Sequence, residues 1–175
     1  MESRAKALGH PIHPMLIVFP LGLLSTSVLV DIIRLMTANT PLAYVSFVMI
    51  MAGLLGGVAA AVFGLWDWFH IPAGTRAKAI GLWHGLLNIF VIVLFGYSAY
   101  LRAGQPNNVP DSLAFILALA GLIIGGLSGW LGGELVDRLG VGVDHGANLN
   151  APNSLSGQPA SVGASHETPA QTSAR

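Results

Sequence analysis

His10 and His13, in the stretch GHPIHPM (9–15), are the first residues of this chain whose type and spacing could do chemistry. Imidazole carries protons near neutral pH and is the commonest metal ligand. A residue before proline is pushed out of the α region, so both rings are expected in an extended segment, where positions three apart face the same way. Pro14 then suits the first position of the following helix. Further along, Asp67 lies in LWDWFH and His84 in GLWHGLLN. Gly81, His84, Gly85 and Asn88 recur at helical spacing and share one face. Two imidazoles from different helix ends could ligate a b-type haem, with His10, His13, His84 and Asn88 around it. Alternatively, His10, His13, Asp67 and His84 offer nitrogen and oxygen donors for zinc, iron or copper.

Each group also has a plainer role. The histidines at 10 and 13 suit a helix start in the headgroup zone, and Asp67 between Trp66 and Trp68 suits a solvated carboxylate at that level. His84 could simply hydrogen-bond a neighbouring helix. Glu134 and Asp137 have Arg138 nearby, while Asp31 stands close to Arg34. Asp111 is placed to start a helix. His145 and His166 fall in or beside a polar tail and are discounted.

The elements that must position these groups follow from composition. Of 175 residues, 53% are hydrophobic and 9% charged, with a mean hydropathy of +0.67. A soluble domain carries roughly 25% charged residues, so this chain cannot cover a water-facing surface. Net charge is zero, with no basic block to bind nucleic acid. The absence of cysteine excludes disulfides, zinc–thiolate sites and iron–sulfur ligation by this chain.

Four apolar runs, about 15–33, 42–66, 79–101 and 112–136, are each near or above the ~20 residues needed to cross a bilayer. Backbone groups in lipid must be satisfied internally, so each run is expected to be a helix. Short connectors rich in Pro, Gly and Asn turn successive helices back on one another. The expected fold is an all-α membrane protein, an up-down bundle of four transmembrane helices over 1–143. A disordered tail follows over 144–175, where large apolar residues are scarce. Pro20 and Gly22 can kink the first helix, whose long run lacks a clean cleavage site and reads as an uncleaved span. Arg4, Lys6, Arg76, Lys78, Arg138 and Arg175 fall on one side, against Arg34 and Arg102 on the other. The positive-inside rule then places both termini in the cytoplasm. The histidines, Asp67 and Glu134 gather toward that face. Gly121, Gly125, Gly129 and Gly133 form a stripe in the fourth helix, with Gly53 and Gly57 in the second. Such stripes serve close helix packing, or leave room for a flat cofactor.

HPIHPMLIVFPLGLL, GLWDW, HGLLN and GWLGGELVDRLGVGV, in that order at the helix ends, resemble a family of small bacterial membrane proteins, domain of unknown function 2231. The likeness covers about residues 8 to 143. It implies a four-helix integral membrane protein without an assigned activity, and its pattern falls on His10, His13, Asp67, His84 and Asn88. Some relatives are attached to Rieske-type iron–sulfur domains, which implies a redox setting with a separate protein as partner here. Two readings follow. One is a redox-associated membrane protein with a cofactor at the histidines, either haem b or a metal. The other is a non-catalytic membrane subunit or scaffold packed through its glycine-rich helices. A small transporter or proton conduit ranks behind both, because the middle thirds of the spans lack ionisable residues. No nucleophile–base pattern or phosphate loop marks an enzyme.

Overall fold

The computed structural model of the chain describes residues 1–164. His166, Arg175 and the end of the expected disordered tail lie outside the described residues. The chain opens in a hairpin, β1 (Lys6–Ala7) pairing antiparallel with β2 (His10–Pro11). Leu8 and Gly9 form its two-residue turn, both at positive φ (51° and 83°), the twist a tight hairpin requires. A Cβ at Gly9 would also stand 2.8 Å from that of Ser154.

The first span, Ile12–Thr37, comprises α1 (Ile12–Leu16) and α2 (Val18–Thr37), interrupted at Ile17. Pro20 has no N–H to donate back to Leu16, so the regular ladder breaks there. The others are α3 (Pro41–His70), α4 (Arg76–Ala103) and α5 (Ser112–Gly133). A π-helical turn, Glu134–Arg138, continues α5. The spans thus extend past most of the apolar runs that announced them, because helical bonding continues into the polar interface. Thr75 and Asp111 cap α4 and α5 by accepting from the amides of Lys78 and Ala114.

Around the bundle, α2 packs on α3, α3 on α4, α4 on α5 and α5 on α2. Thus α2 faces α4 across one diagonal and α3 faces α5 across the other. The interior is a small apolar cluster of Leu24, Val28, Ile50, Val91, Phe95, Ala99 and Ala118. Large residues such as Leu55, Val62 and Trp130 point outward, as lipid-facing positions should.

Three expectations change. The helix begins at Ile12, so His13 lies inside its first turn and Pro14 at the third position, where its missing N–H costs no bond. His10 stays on the hairpin, and the two rings do not converge. Second, the fourth-helix glycines do not form one packing seam. A Cβ at Gly121 would lie 2.7 Å from the Phe95 ring, and Gly53 stands equally close to Leu24. Gly125 makes only ordinary contact with Val91, while Gly129 and Gly133 have nothing within 4 Å. Gly121→Val is therefore expected to lower stability by about 1–3 kcal/mol. Gly133→Val should change it by less than about 0.5 kcal/mol, both read by circular-dichroism melting in one detergent.

Third, the end of the bundle away from residue 1 holds a buried charge pair. Asp31 on α2 pairs with Arg102 on α4 rather than with nearby Arg34; Nη2 donates to Oδ2 at 2.6 Å and Nη1 to Oδ1 at 3.1 Å. Both side chains are 0% exposed. Arg102 also donates to the hydroxyls of Ser46 and Ser98, at 3.2 Å each, so its fork is nearly filled. At the other end, Glu134 accepts from Arg76 at 2.6 Å rather than from Arg138.

Candidate functional site

His13 and His84 meet across the α2–α4 diagonal at the end of the bundle that carries residue 1. Their ring centres are 6.4 Å apart and the rings are nearly perpendicular, at 87°. Each ring is held by the helix paired with its own. His13 Nδ1 lies 2.8 Å from the carbonyl oxygen of Ala60 on α3, and His84 Nδ1 lies 2.9 Å from that of Ser128 on α5. A carbonyl cannot donate, so both Nδ1 atoms carry a proton, and in the neutral ring Nε2 is the atom with a lone pair.

The two cradles are built alike. In a helix the carbonyl of residue i points at residue i+4, whose side chain normally shields its second lone pair. Here those positions are Gly64 and Gly132. A Cβ at Gly64 would stand 2.8 Å from the His13 ring, and one at Gly132 would stand 3.2 Å from His84 Cε1. Glycine at i+4 lets an imidazole reach a carbonyl that is already bonded within its helix. Beside His84, Asn88 Nδ2 stands 3.1 Å from Nε2 and donates to the His84 carbonyl at 3.0 Å. The Ser128 hydroxyl donates to the same carbonyl at 3.2 Å. His84 lies about 12 Å along α4 from Arg76 at 1.5 Å per residue.

The other expected members go elsewhere. Asp67 accepts from the Ser3 hydroxyl at 2.7 and 2.8 Å and from the Arg4 amide at 3.0 Å. It anchors the N-terminal segment and does not join the histidines. His10 is exposed, with Nε2 3.3 Å from Ser154 Oγ. The four-residue set of His10, His13, Asp67 and His84 is therefore not assembled. Among the described residues no group of three or more His, Asp or Glu could hold a metal ion. Sequence reading missed Ala60, Gly64, Ser128 and Gly132. A small residue followed by glycine four positions on, in the helix after a histidine-bearing one, was the available signal.

The N-terminal segment runs between the ends of α3 and α5. Asp67 near the end of α3 holds Ser3, and the Met1 amine donates to the Gly140 carbonyl beyond α5 at 2.8 Å. These anchors sit on the α3–α5 diagonal. Residues 144–164, part of the stretch expected to lack structure, form turns and one short 3-10 helix against the hairpin. Lys6 binds both Glu2 and Asp144, and Glu2 accepts from the His145 amide at 3.0 Å. The His145 N–H, then Lys6, holds the Glu2 carboxyl below the usual carboxylate range. The hydrogen bond to Asp144 raises the Lys6 ammonium. A lowered acid stabilises this contact above its free value of 4.5, and the contribution is lost as pH falls through the lowered one. A raised base stabilises it below 10.5, and that contribution is lost as pH rises through the raised value. The His145 amide should thus be protected from hydrogen exchange across that window and deprotected in acid, after correction for the intrinsic rate.

Residues 9–145 match the model of a family described as a predicted membrane protein, DUF2231. No curated protein and no solved structure matches the chain.

Proposed function

The chain belongs to the DUF2231 family of predicted membrane proteins, and from that premise we propose that it is a haem b protein of the bacterial cytoplasmic membrane, with both termini cytoplasmic, in which His13 and His84 would hold the haem iron. The observation that carries this reading is the pair of imidazoles with ring centres 6.4 Å apart, each fixed at Nδ1 by a carbonyl, with His84 Nε2 facing only the Asn88 amide. Nδ1–H bonded to a carbonyl is the usual support of a metal-ligating histidine.

The donor set favours haem over a bare ion. A tetrahedral zinc site needs four ligands and a catalytic one three, whereas this pair offers two nitrogens. A porphyrin brings the remaining four donors itself. Gly85 and Gly125 are half-buried, and no side chain crowds either closely, which leaves relief beside His84. To hold a ligand, His84 Nε2 would give up its contact with Asn88 Nδ2. When bound, such a haem supplies one-electron transfer. The protein's own part is to fix the two rings.

The protein purified from membranes is expected to show a Soret band and about one iron per chain. A featureless visible spectrum with no iron would end the proposal; copper without haem would replace haem by a two-coordinate ion. A second reading, a non-catalytic subunit, is favoured by Gly129 and Gly133, exposed positions with no neighbour in their own bundle. A stable complex in native membranes together with a colourless protein would support it.

A further inference from the structure

The two histidine cradles are not the only features that occur twice. Leu24 packs against Gly53 on the next helix, and Phe95 packs against Gly121 on the next helix. Ser27 and Ser98 are both fully buried, and Asp31 and Arg102 face each other. The spacing is constant. Each of these first-span residues has its counterpart 71 positions later: 13 and 84, 24 and 95, 27 and 98, 31 and 102. Between the second and fourth spans the interval is 68: 46 and 114, 53 and 121, 60 and 128, 64 and 132.

We infer that the bundle is an internal duplication of a two-helix hairpin. Its halves, α1–α3 and α4–α5, pack through the same face about a pseudo-two-fold axis that passes through both the His13–His84 pair and the Asp31–Arg102 pair. First and third spans run in the same direction in an up-down bundle, so the axis lies along the bundle. An isologous interface brings each residue on the axis against its own counterpart. The histidines obey this at one end. At the other end the counterparts have diverged into opposite charges, so the surface of each hairpin fits a hairpin of the same build carrying the complementary charge. Two copies of the first half would oppose Asp to Asp, and two of the second Arg to Arg. The N-terminal segment departs from the symmetry, and the counterpart of its anchor Asp67 is Leu135, 68 positions on.

The duplication rests on geometry alone. Equal sharing of a bound group by the two halves rests on the haem reading, and separate measurements address the two. For the axis, Asp31→Arg and Arg102→Asp are each expected to lower the melting temperature of the full chain in detergent. The exchange Asp31→Arg/Arg102→Asp should recover most of that loss. In the exchange, Arg at 31 finds Ser27 where Arg102 finds Ser98, but meets Ala114 where Arg102 meets Ser46. Adding Ala114→Ser should therefore raise the melting temperature again. An exchange no more stable than either single variant, with or without Ala114→Ser, overturns the duplication. For the shared site, Gly64→Val and Gly132→Val should each lower haem occupancy by at least about tenfold, since both displace a ligand's support. Loss from one side only, in folded protein, overturns equal sharing. A recovering exchange in a protein without haem leaves the axis standing and ends the haem reading.

Discussion

Arg102→Leu is expected to destabilise the protein by about 3–5 kcal/mol, because it leaves an uncompensated carboxylate in a closed interior. Asp31 has no solvent exposure, and both its oxygens are occupied by this one guanidinium. Neither hydroxyl that Arg102 binds can replace the charge. Asp31→Leu should cost a similar amount by stranding the cation. The informative variant is the double one. Removing both charges also removes the desolvation that opposes their attraction, and apolar residues of similar volume can pack in their place, so Asp31→Leu/Arg102→Leu should be more stable than either single variant. Chemical or thermal unfolding followed by circular dichroism in a single detergent gives all four corners of the cycle. If Arg102→Leu alone melted with the unaltered protein, the pair would not be the buried tie described above.

His84→Ala, and separately His13→Ala, is expected to remove bound haem, lowering occupancy by at least about 100-fold, since losing a group that merely supports a ligand already costs 10–100-fold. His10→Ala and Asp67→Asn should leave it in place, because His10 faces Ser154 and Asp67 holds Ser3. Each histidine holds a carbonyl through Nδ1, and His84 also faces Asn88 Nδ2, so helix content should change little, while melting falls with the loss of any bound haem. The spectrum therefore separates a ligand from a brace. A merely bracing His84 would leave the Soret band of the remaining folded protein intact. The spectrum of His84→Ala beside His10→Ala is the decisive comparison.

Much of this arrangement is legible without coordinates. Long uncharged runs in a chain with so few charged residues leave the backbone only helices to satisfy itself in lipid. The short connectors then leave antiparallel neighbours. Asp111 before SLAFIL starts a helix by a local hydrogen bond, and it does so here. The choice of His84 rested on its place on a polar face within an apolar run, and that face does turn to a neighbouring helix. The readings that fail share one cause: they used proximity along the chain. Asp31 stands close to Arg34 in the sequence, and Arg138 is near both Glu134 and Asp137, but the partners of Asp31 and Glu134 lie 71 and 58 residues away. His10 was grouped with His13 by an extended-chain periodicity that ends where the helix begins, at Ile12.

GHPIHPM is thus two sites rather than one. Its first histidine belongs to the hairpin and its second to the bundle interior. By itself the sequence determines that four helices form and that successive ones turn back on one another, because backbone satisfaction in lipid acts within a single segment and the connectors are short. Only the tertiary structure decides which helices are diagonal, and therefore that His13 meets His84 and Asp31 meets Arg102. Those pairings depend on how closely helices approach, which is set by glycines at 53, 64, 121 and 132 whose effect appears only against the side chains opposite them.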